Sequence, residues 1–326
     1  MAFEPHPERW HRREFRAMGC EMAVWLETAD SETATTALDR VEALFATNEQ
    51  ALSRFRPESE LSQLNGSTGQ WAVVSPLLWD VLSLALKMAA ETNGRFDPTM
   101  LNALEQNGYN VSFEKLGQAN RNNSTNGLAF PGQWAAVELD ETLRAVYLPK
   151  GVRVDLGGIG KGYTAQQAVD LLRPFGPCLV DAGGDLAAGN RPMGCPGWPV
   201  AVSAPWQGEG VDTTDLFTAW LANQALATSG IDYRTWQMNG RPTHHLIDPS
   251  TGRPAVTDGV TVTIVAEDAA SAEAWATASL VAGSEAGMEA LLDADLAGLM
   301  VLQDGSVQVT PSMHHYIQNG SFIDNK

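Results

Sequence analysis

Basic side chains are scarce in this chain: 21 lysines and arginines stand against 39 aspartates and glutamates, a formal net charge of −18. That balance argues against an extended nucleic-acid footprint or an anionic membrane surface as partner, because both are met by a basic face. Long hydrophobic runs are missing too, since nothing approaches the roughly 18 consecutive apolar residues of a membrane-spanning helix. The opening MAFEPHPERWHRREFRAMG carries charges throughout and has no apolar centre of a secretory leader. The expectation is a soluble, unexported, cytoplasmic protein, with no nucleic acid and no membrane among its partners and residues 1–14 forming a flexible N-terminus. Cysteine is nearly absent, and the three present (Cys20, Cys178, Cys195) are odd in number and lack paired spacing. Neither a disulfide framework nor a zinc site is indicated.

Two phosphate-binding signatures are also missing. In DLGGIGKGY, residues 155–163, a P-loop would need glycine where Asp155 stands and Ser or Thr where Gly162 stands. A dinucleotide fingerprint starting at Gly158 and Gly160 would need its third glycine at Tyr163. What remains is a Gly-rich turn whose amides can approach an anion, leading into the positive end of a helix that starts near Tyr163. Taken alone, the stretch is better explained as a strand-to-helix turn using glycine for its dihedrals.

What is present is a large apolar complement, 44% of 326 residues, enough for a substantial core. Residues 19–27 alternate as a strand, and Ala34, Ala37, Leu38, Val41, Leu44 and Phe45 recur at helical spacing over 31–50. Ser75-Pro76 opens a second helix and Asn93-Gly94 closes it. The polar stretch 117–127 reads as an exposed loop. Strand-like runs follow at 134–148, 178–182, 198–204, 214–227, 259–266 and 297–303, with a helix near 269–282. Strands in consecutive pairs with irregularly interspersed helices predict an α+β fold with antiparallel sheets. With no repeat and no linker, one domain over 1–326 is the simplest organisation.

Several groups have chemistry to offer. Glu273 and Thr277, four apart, share a helix face and are hard oxygen ligands that, with a backbone carbonyl of the Gly-rich turn, suit Mg²⁺. A solvated Glu and a Thr bonded to its own preceding turn explain the pair without a metal. His244 and His245 lead into a turn at Asp248-Pro249-Ser250, and either is a neutral-pH acid or base. Thr228, Ser229 and Gly230 end an apolar run with small hydroxyls, as a polar ligand's contact loop would. VDAGGDLAAGN, 180–190, suits a close-approach loop or a simple hairpin.

In order along the chain, MG (18–19), LSRFRPESELSQLN (52–65), GRFDPTM (94–100), DLGGIGKGY (155–163), DAGGDLAAGN (181–190), TSGIDYR (228–234), HHLIDPSTGRPA (244–255) and AEAWATA (272–278) resemble the ApbE family of FAD:protein FMN transferases. The resemblance implies an ApbE-like domain and Mg²⁺-dependent cleavage of FAD. FMN would pass to a Thr or Ser hydroxyl of an acceptor protein and AMP would be released. It further implies that Gly160 lends its carbonyl to Mg²⁺ beside Glu273 and Thr277, and that Met18, Phe55, Arg95, Phe96, Asp97, Asp155, Gly157, Tyr163, Thr228, Ser229, Gly230 and Ile247 bind FAD. Lys161 would add positive charge, or merely solvate the turn if exposed. His245 would assist deprotonation of the hydroxyl or protonate the leaving AMP. Two departures stand out: Glu273 where the family usually has Asp, and Phe55 where it commonly has Tyr. The alternatives are FAD pyrophosphatase activity, a non-catalytic FAD-binding protein, and an unrelated α+β protein.

Overall fold

The computed structural model describes residues 9–116, 131–205, 215–238 and 240–317. The stretch 117–127, read above as a loop, lies outside them. The chain opens with β1 (Trp10–Ala17) and β2 (Cys20–Glu27), paired antiparallel from Trp10↔Glu27 to Ala17↔Cys20. Their two-residue turn needs positive φ at both positions to follow the strand twist, and Met18 (φ 49) and Gly19 (φ 74) provide it. Residues 10–14, expected in a flexible N-terminus, are therefore part of a paired strand. Their charges concealed it, and the structure pairs them: Arg12 with Glu14, and Arg13 with Asp39 at 2.7 Å and Glu42 at 3.1 Å.

Helix α1 (Ser31–Leu52) is capped by Asp30, whose carboxylate accepts from the Glu32 amide, and buries Ala34, Ala37, Leu38, Val41 and Phe45 at the expected spacing. After α2 (Glu60–Gly66) and β3 (Trp71–Val73) comes α3 (Pro76–Glu91), capped by Ser75 with proline in its first turn. Two short helices, α4 (Leu101–Gln106) and α5 (Phe113–Leu116), follow. The run 134–148, read as one strand, begins as a 3-10 turn at Trp134–Ala136 and then splits into β4 (Glu138–Asp140) and β5 (Ala145–Tyr147). It breaks because Asp140 accepts from the Leu143 amide and Arg144 takes φ 47, which closes a hairpin.

Helix α6 (Gly160–Leu172) starts three residues earlier than expected. It leads into β6 (Cys178–Ala182), β7 (Leu186–Ala188) and β8 (Trp198–Ser203). The run 214–227 is two strands in different sheets, β9 (Asp215–Leu221) and β10 (Ala225–Gly230), parted by a turn with Asn223 at φ 53. Two small hairpins, β11 (Thr235–Met238) with β12 (Arg241–His244) and β13 (Ile247–Asp248) with β14 (Arg253–Pro254), precede β15 (Gly259–Ala266), α7 (Ala269–Ala282), α8 (Ser284–Asp293), β16 (Ala297–Leu302) and β17 (Val307–Val309).

The main sheet has eight strands in the order β1-β2-β6-β7-β10-β15-β16-β17, every neighbouring pair antiparallel. Helices α1, α6, α7 and α8 cover one face and the β8–β9 hairpin covers the other. Coverage on both faces explains why every residue of β15 and β16 is buried, Thr261 and Thr263 included, rather than alternating between buried and exposed. This is the expected α+β class with antiparallel sheets.

Helix α7 positions the site. Ala272, Ala276 and Leu280 pack on the sheet, while Ala270, Ala274 and Ala278 pack into a second cluster with α3. A helix sandwiched on two sides needs small residues all round, hence its alanines. Glu273 and Thr277 are left on a third face, toward the cleft.

Candidate active site

A cleft of about 1380 Å³ opens where the end of β10, the face of α7, the Gly-rich turn before α6, the β1–β2 turn and the segment after α1 converge. Met18, Phe55, Arg95, Phe96, Asp97, Asp155, Gly157, Gly160, Lys161, Thr228, Ser229, Gly230, His245, Ile247, Glu273 and Thr277 all line it. Tyr163 does not. Because α6 begins at Gly160, Tyr163 lies inside the first helical turn and packs against the α3 cluster, with burial raising its phenol pKa.

The Gly-rich turn is internally fastened. Asp155 accepts from the Gly157 amide at 2.9 Å, and the Gly160 amide donates to the Leu156 carbonyl at 2.8 Å. Helix α6 has no side-chain cap of its own. Instead Glu273, reaching over from α7, accepts from the Gly162 amide at 2.9 Å. One of the amides expected to receive an anion is thus already taken by a carboxylate.

Lys161 is buried rather than exposed. Its Nζ lies 2.7 Å from Asp185 Oδ2 and also pairs with Glu273 Oε1. Burial opposes its charge, but Asp185 and Glu273 outweigh burial and hold its pKa above the ordinary value. Burial and the Asp185 charge push the Glu273 carboxyl up to about 7, against the pull of Lys161. Thr277 Oγ1 meets Ser229 Oγ at 3.0 Å, and Thr228 Oγ1 meets Thr263 Oγ1 at 2.9 Å. The Gly160 carbonyl accepts from Thr164 Oγ1 at 2.8 Å.

The two histidines separate. His244 anchors a hairpin through the Ala255 carbonyl at 3.2 Å, whereas His245 faces the cleft with Nδ1 buried and unpartnered. Burial, reinforced by Arg234, His244 and Lys161, drives the His245 pKa down to about 3, so the imidazole is neutral. Asp97 is a structural hub at the cleft wall. It accepts from the Thr99 amide and hydroxyl at 2.7 and 2.6 Å, while burial raises its pKa. Met18 is pinned by its amide to Glu49 at 2.8 Å, and Arg95 at the rim donates to the Ala286 carbonyl at 3.4 Å. Phe96 and Ile247 are buried wall residues.

Sequence reasoning passed over Arg54, Tyr109, Asp185 and Arg234, all of which line the cleft. Arg234 donates to Cys20 Sγ at 3.1 Å. Burial works against its charge, but Tyr109, Cys20 and Asp185 hold its pKa above the usual value. Arg54, Asp185 and Arg234 stand inside three of the motifs quoted above, which was signal enough to find them. Tyr109 lies in no motif.

The donor chemistry around α7 suits Mg²⁺. Among the described residues no three His, Cys, Asp or Glu side chains gather as a metal site. An ion here would rest on one carboxylate plus hydroxyl and carbonyl oxygens, leaving positions for water and substrate, as Mg²⁺ sites commonly do. Glu273, Thr277 and the Gly160 carbonyl supply donors of that kind, and each is engaged within the chain: Glu273 by Lys161 and the Gly162 amide, Thr277 by Ser229 and Gly160 by Thr164.

A model of the ApbE family matches residues 18–300. The chain belongs to the ApbE family. It is 26% identical over 320 residues to an FAD:protein FMN transferase of Escherichia coli K12, a match covering 93% of this chain and 88% of that protein. The crystal structure of the ApbE protein from Thermotoga maritima superposes with a TM-score of 0.84 at 26% identity, over 95% of this chain and 99% of that one. The apo flavinyl transferase ApbE of Pseudomonas stutzeri has the same fold, with a TM-score of 0.80 at 20% identity over 98% and 100% of the two chains.

Proposed function

We propose that this ApbE-family chain, acting as one domain, is a flavin transferase that moves the FMN half of FAD onto a Thr or Ser hydroxyl of an acceptor protein and releases AMP. The observation that carries the reading is the convergence of eight sequence-distant motifs on one cleft, in a chain whose relatives are named for this transfer. Glu273, Thr277 and the Gly160 carbonyl would hold Mg²⁺, which neutralises pyrophosphate charge when bound.

The chain's own groups do the rest. The reaction forms a bond from the acceptor oxygen to the FMN phosphorus and breaks the bond from that phosphorus to the bridging oxygen, which leaves with AMP. A transfer of this kind is governed by positioning and by charge stabilisation. His245 is neutral and its buried Nδ1 is unpartnered. That favours accepting the hydroxyl proton over supplying one at the outset. Lys161 holds Glu273 and Asp185 in place. Arg234, half-buried and cationic, lines the cleft and would be available to the departing phosphate. A cytoplasmic site of action is part of this reading.

The test is intact-protein mass spectrometry of a Thr-containing acceptor after incubation with this protein, FAD and Mg²⁺, with AMP quantified in parallel. The expected result is an FMN-sized mass gain that is lost in Glu273→Ala and Thr277→Ala. AMP and free FMN without a change in acceptor mass, given an acceptor that another ApbE protein modifies, would make the chain a pyrophosphatase instead.

A further inference from the structure

Arg54 is the most constrained cation in the cleft that the transfer chemistry leaves unused. Its side chain is 5% exposed, and Nε donates to Asp155 Oδ2 at 2.6 Å. The guanidinium carbon lies 4.0 Å from the centre of the Phe55 ring and 4.7 Å from that of Tyr109, wedged in the angle between rings tilted by 57°. Nη2 is shut off from solvent with no hydrogen-bond partner. A buried N–H group left unsatisfied is costly, and a charged one more so, which makes it a place where a ligand atom completes the structure.

We propose that Arg54 reads the flavin ring, its free Nη2 donating to a carbonyl oxygen on the pyrimidine edge of the isoalloxazine. This rests on the flavin-transferase reading and assigns a specificity contact within that site. Three observations favour a ring carbonyl over a phosphate oxygen. Asp155 already balances the guanidinium charge, so what remains is a directional donor rather than a net cation. The surroundings are flat and aromatic, since Tyr109 stacks onward to Trp236 at 5.5 Å. Phe55, 40% exposed, forms the open side, while Tyr109, 9% exposed, forms the closed one. That exposure leaves the Phe55 side open to a planar ligand. The same Asp155 bonds the Gly157 amide, so the contact ties the ring's position to the turn beside the pyrophosphate.

The experiment uses the full chain with Mg²⁺. Riboflavin, which has the ring and no phosphate, is titrated by fluorescence. ADP, which has the diphosphate and no flavin, is titrated by calorimetry, and FAD serves as reference. Arg54→Met removes the guanidinium. Arg54→Lys keeps a positive charge for Asp155 but gives up the second donor, and it carries the test if the Met variant fails to fold. The expected result is a loss of riboflavin affinity of roughly tenfold or more in both variants, ADP affinity within about twofold of the parent, and a shift of the near-ultraviolet band of bound flavin. Unchanged riboflavin binding in the Lys variant overturns the proposal, because the charge and not the second donor would then matter. An equal loss for ADP overturns it in favour of a phosphate contact, as does a parent chain that binds FAD and ADP but no riboflavin. A parent chain that binds no FAD at all would refute the flavin-transferase reading itself, a distinct failure that takes this contact with it.

Discussion

Lys161 is placed between two carboxylates that are more deeply buried than itself, Asp185 and Glu273. Truncating one member of such a cluster leaves uncompensated charge in the interior, which costs on the order of 3 kcal/mol or more. Lys161→Met is therefore expected to lower the urea-unfolding free energy by about 3 kcal/mol, and adding Asp185→Asn is expected to restore part of it. An unchanged midpoint in the single variant would show that Lys161 is solvated after all. His245 makes a different prediction. Its pKa falls from an ordinary 6.5 to about 3, chiefly through burial, so at intermediate pH the unfolded chain binds a proton that the folded chain refuses. The stability this group contributes is complete above pH 6.5 and is lost as the pH falls toward 3. Plotted against pH over that window, the unfolding free energy of His245→Gln should have a smaller slope than that of the parent.

At the scale of elements, the meeting of α6 and α7 decides where Lys161 stands relative to Glu273. A Cβ on Gly162 would lie 2.4 Å from the Ala269 carbonyl oxygen and 2.8 Å from the Ala270 amide nitrogen. These are backbone atoms that cannot swing aside. Gly162→Ala is expected to force the helices apart, costing about 1–3 kcal/mol and lowering transfer more than that stability loss explains. Wild-type activity and thermal midpoint in this variant would show that the spacing is not critical. Helix α7 also depends on its cap. Asp268 accepts from the Ser271 amide at 2.8 Å and from its hydroxyl at 2.7 Å, and Asp268→Ala should cost about 1 kcal/mol in thermal or urea unfolding. Elements of this kind were legible beforehand: α1 from its apolar spacing, α3 from its Ser75-Pro76 opening, and α7 by range, all to within a few residues. The 134–148 and 214–227 runs misled because apolar residues on either side drew attention from the polar breaks at 140–144 and 223–224: Arg144 takes positive φ with no turn signal of its own, whereas Asn223, a residue that tolerates that region, was a signal passed over.

At the scale of the whole molecule, the cleft draws on the β1–β2 turn near the start of the chain and on α7 near its end. A ligand there ties distant segments together and adds to the stability of the folded state alone. FAD with Mg²⁺ at about a hundred times the dissociation constant should add about 2.7 kcal/mol to the unfolding free energy. ADP under the same conditions should show a shift as well, though at lower affinity, and absence of any FAD-dependent shift would contradict the proposed function. What the sequence by itself determined is the α+β class, the main helices, the family and a set of motif residues that meet at the cleft, because these follow from local periodicity, capping chemistry and ordered motifs. What only the tertiary structure decided is pairing across long separations. Lys161 meets Glu273 at a separation of 112 residues. Arg54 is wedged between Phe55 and Tyr109. Of two adjacent histidines, one faces the cleft. Burial and charge partners set the chemistry of each of these groups, and neither exists until the sheet and its helices have closed around them.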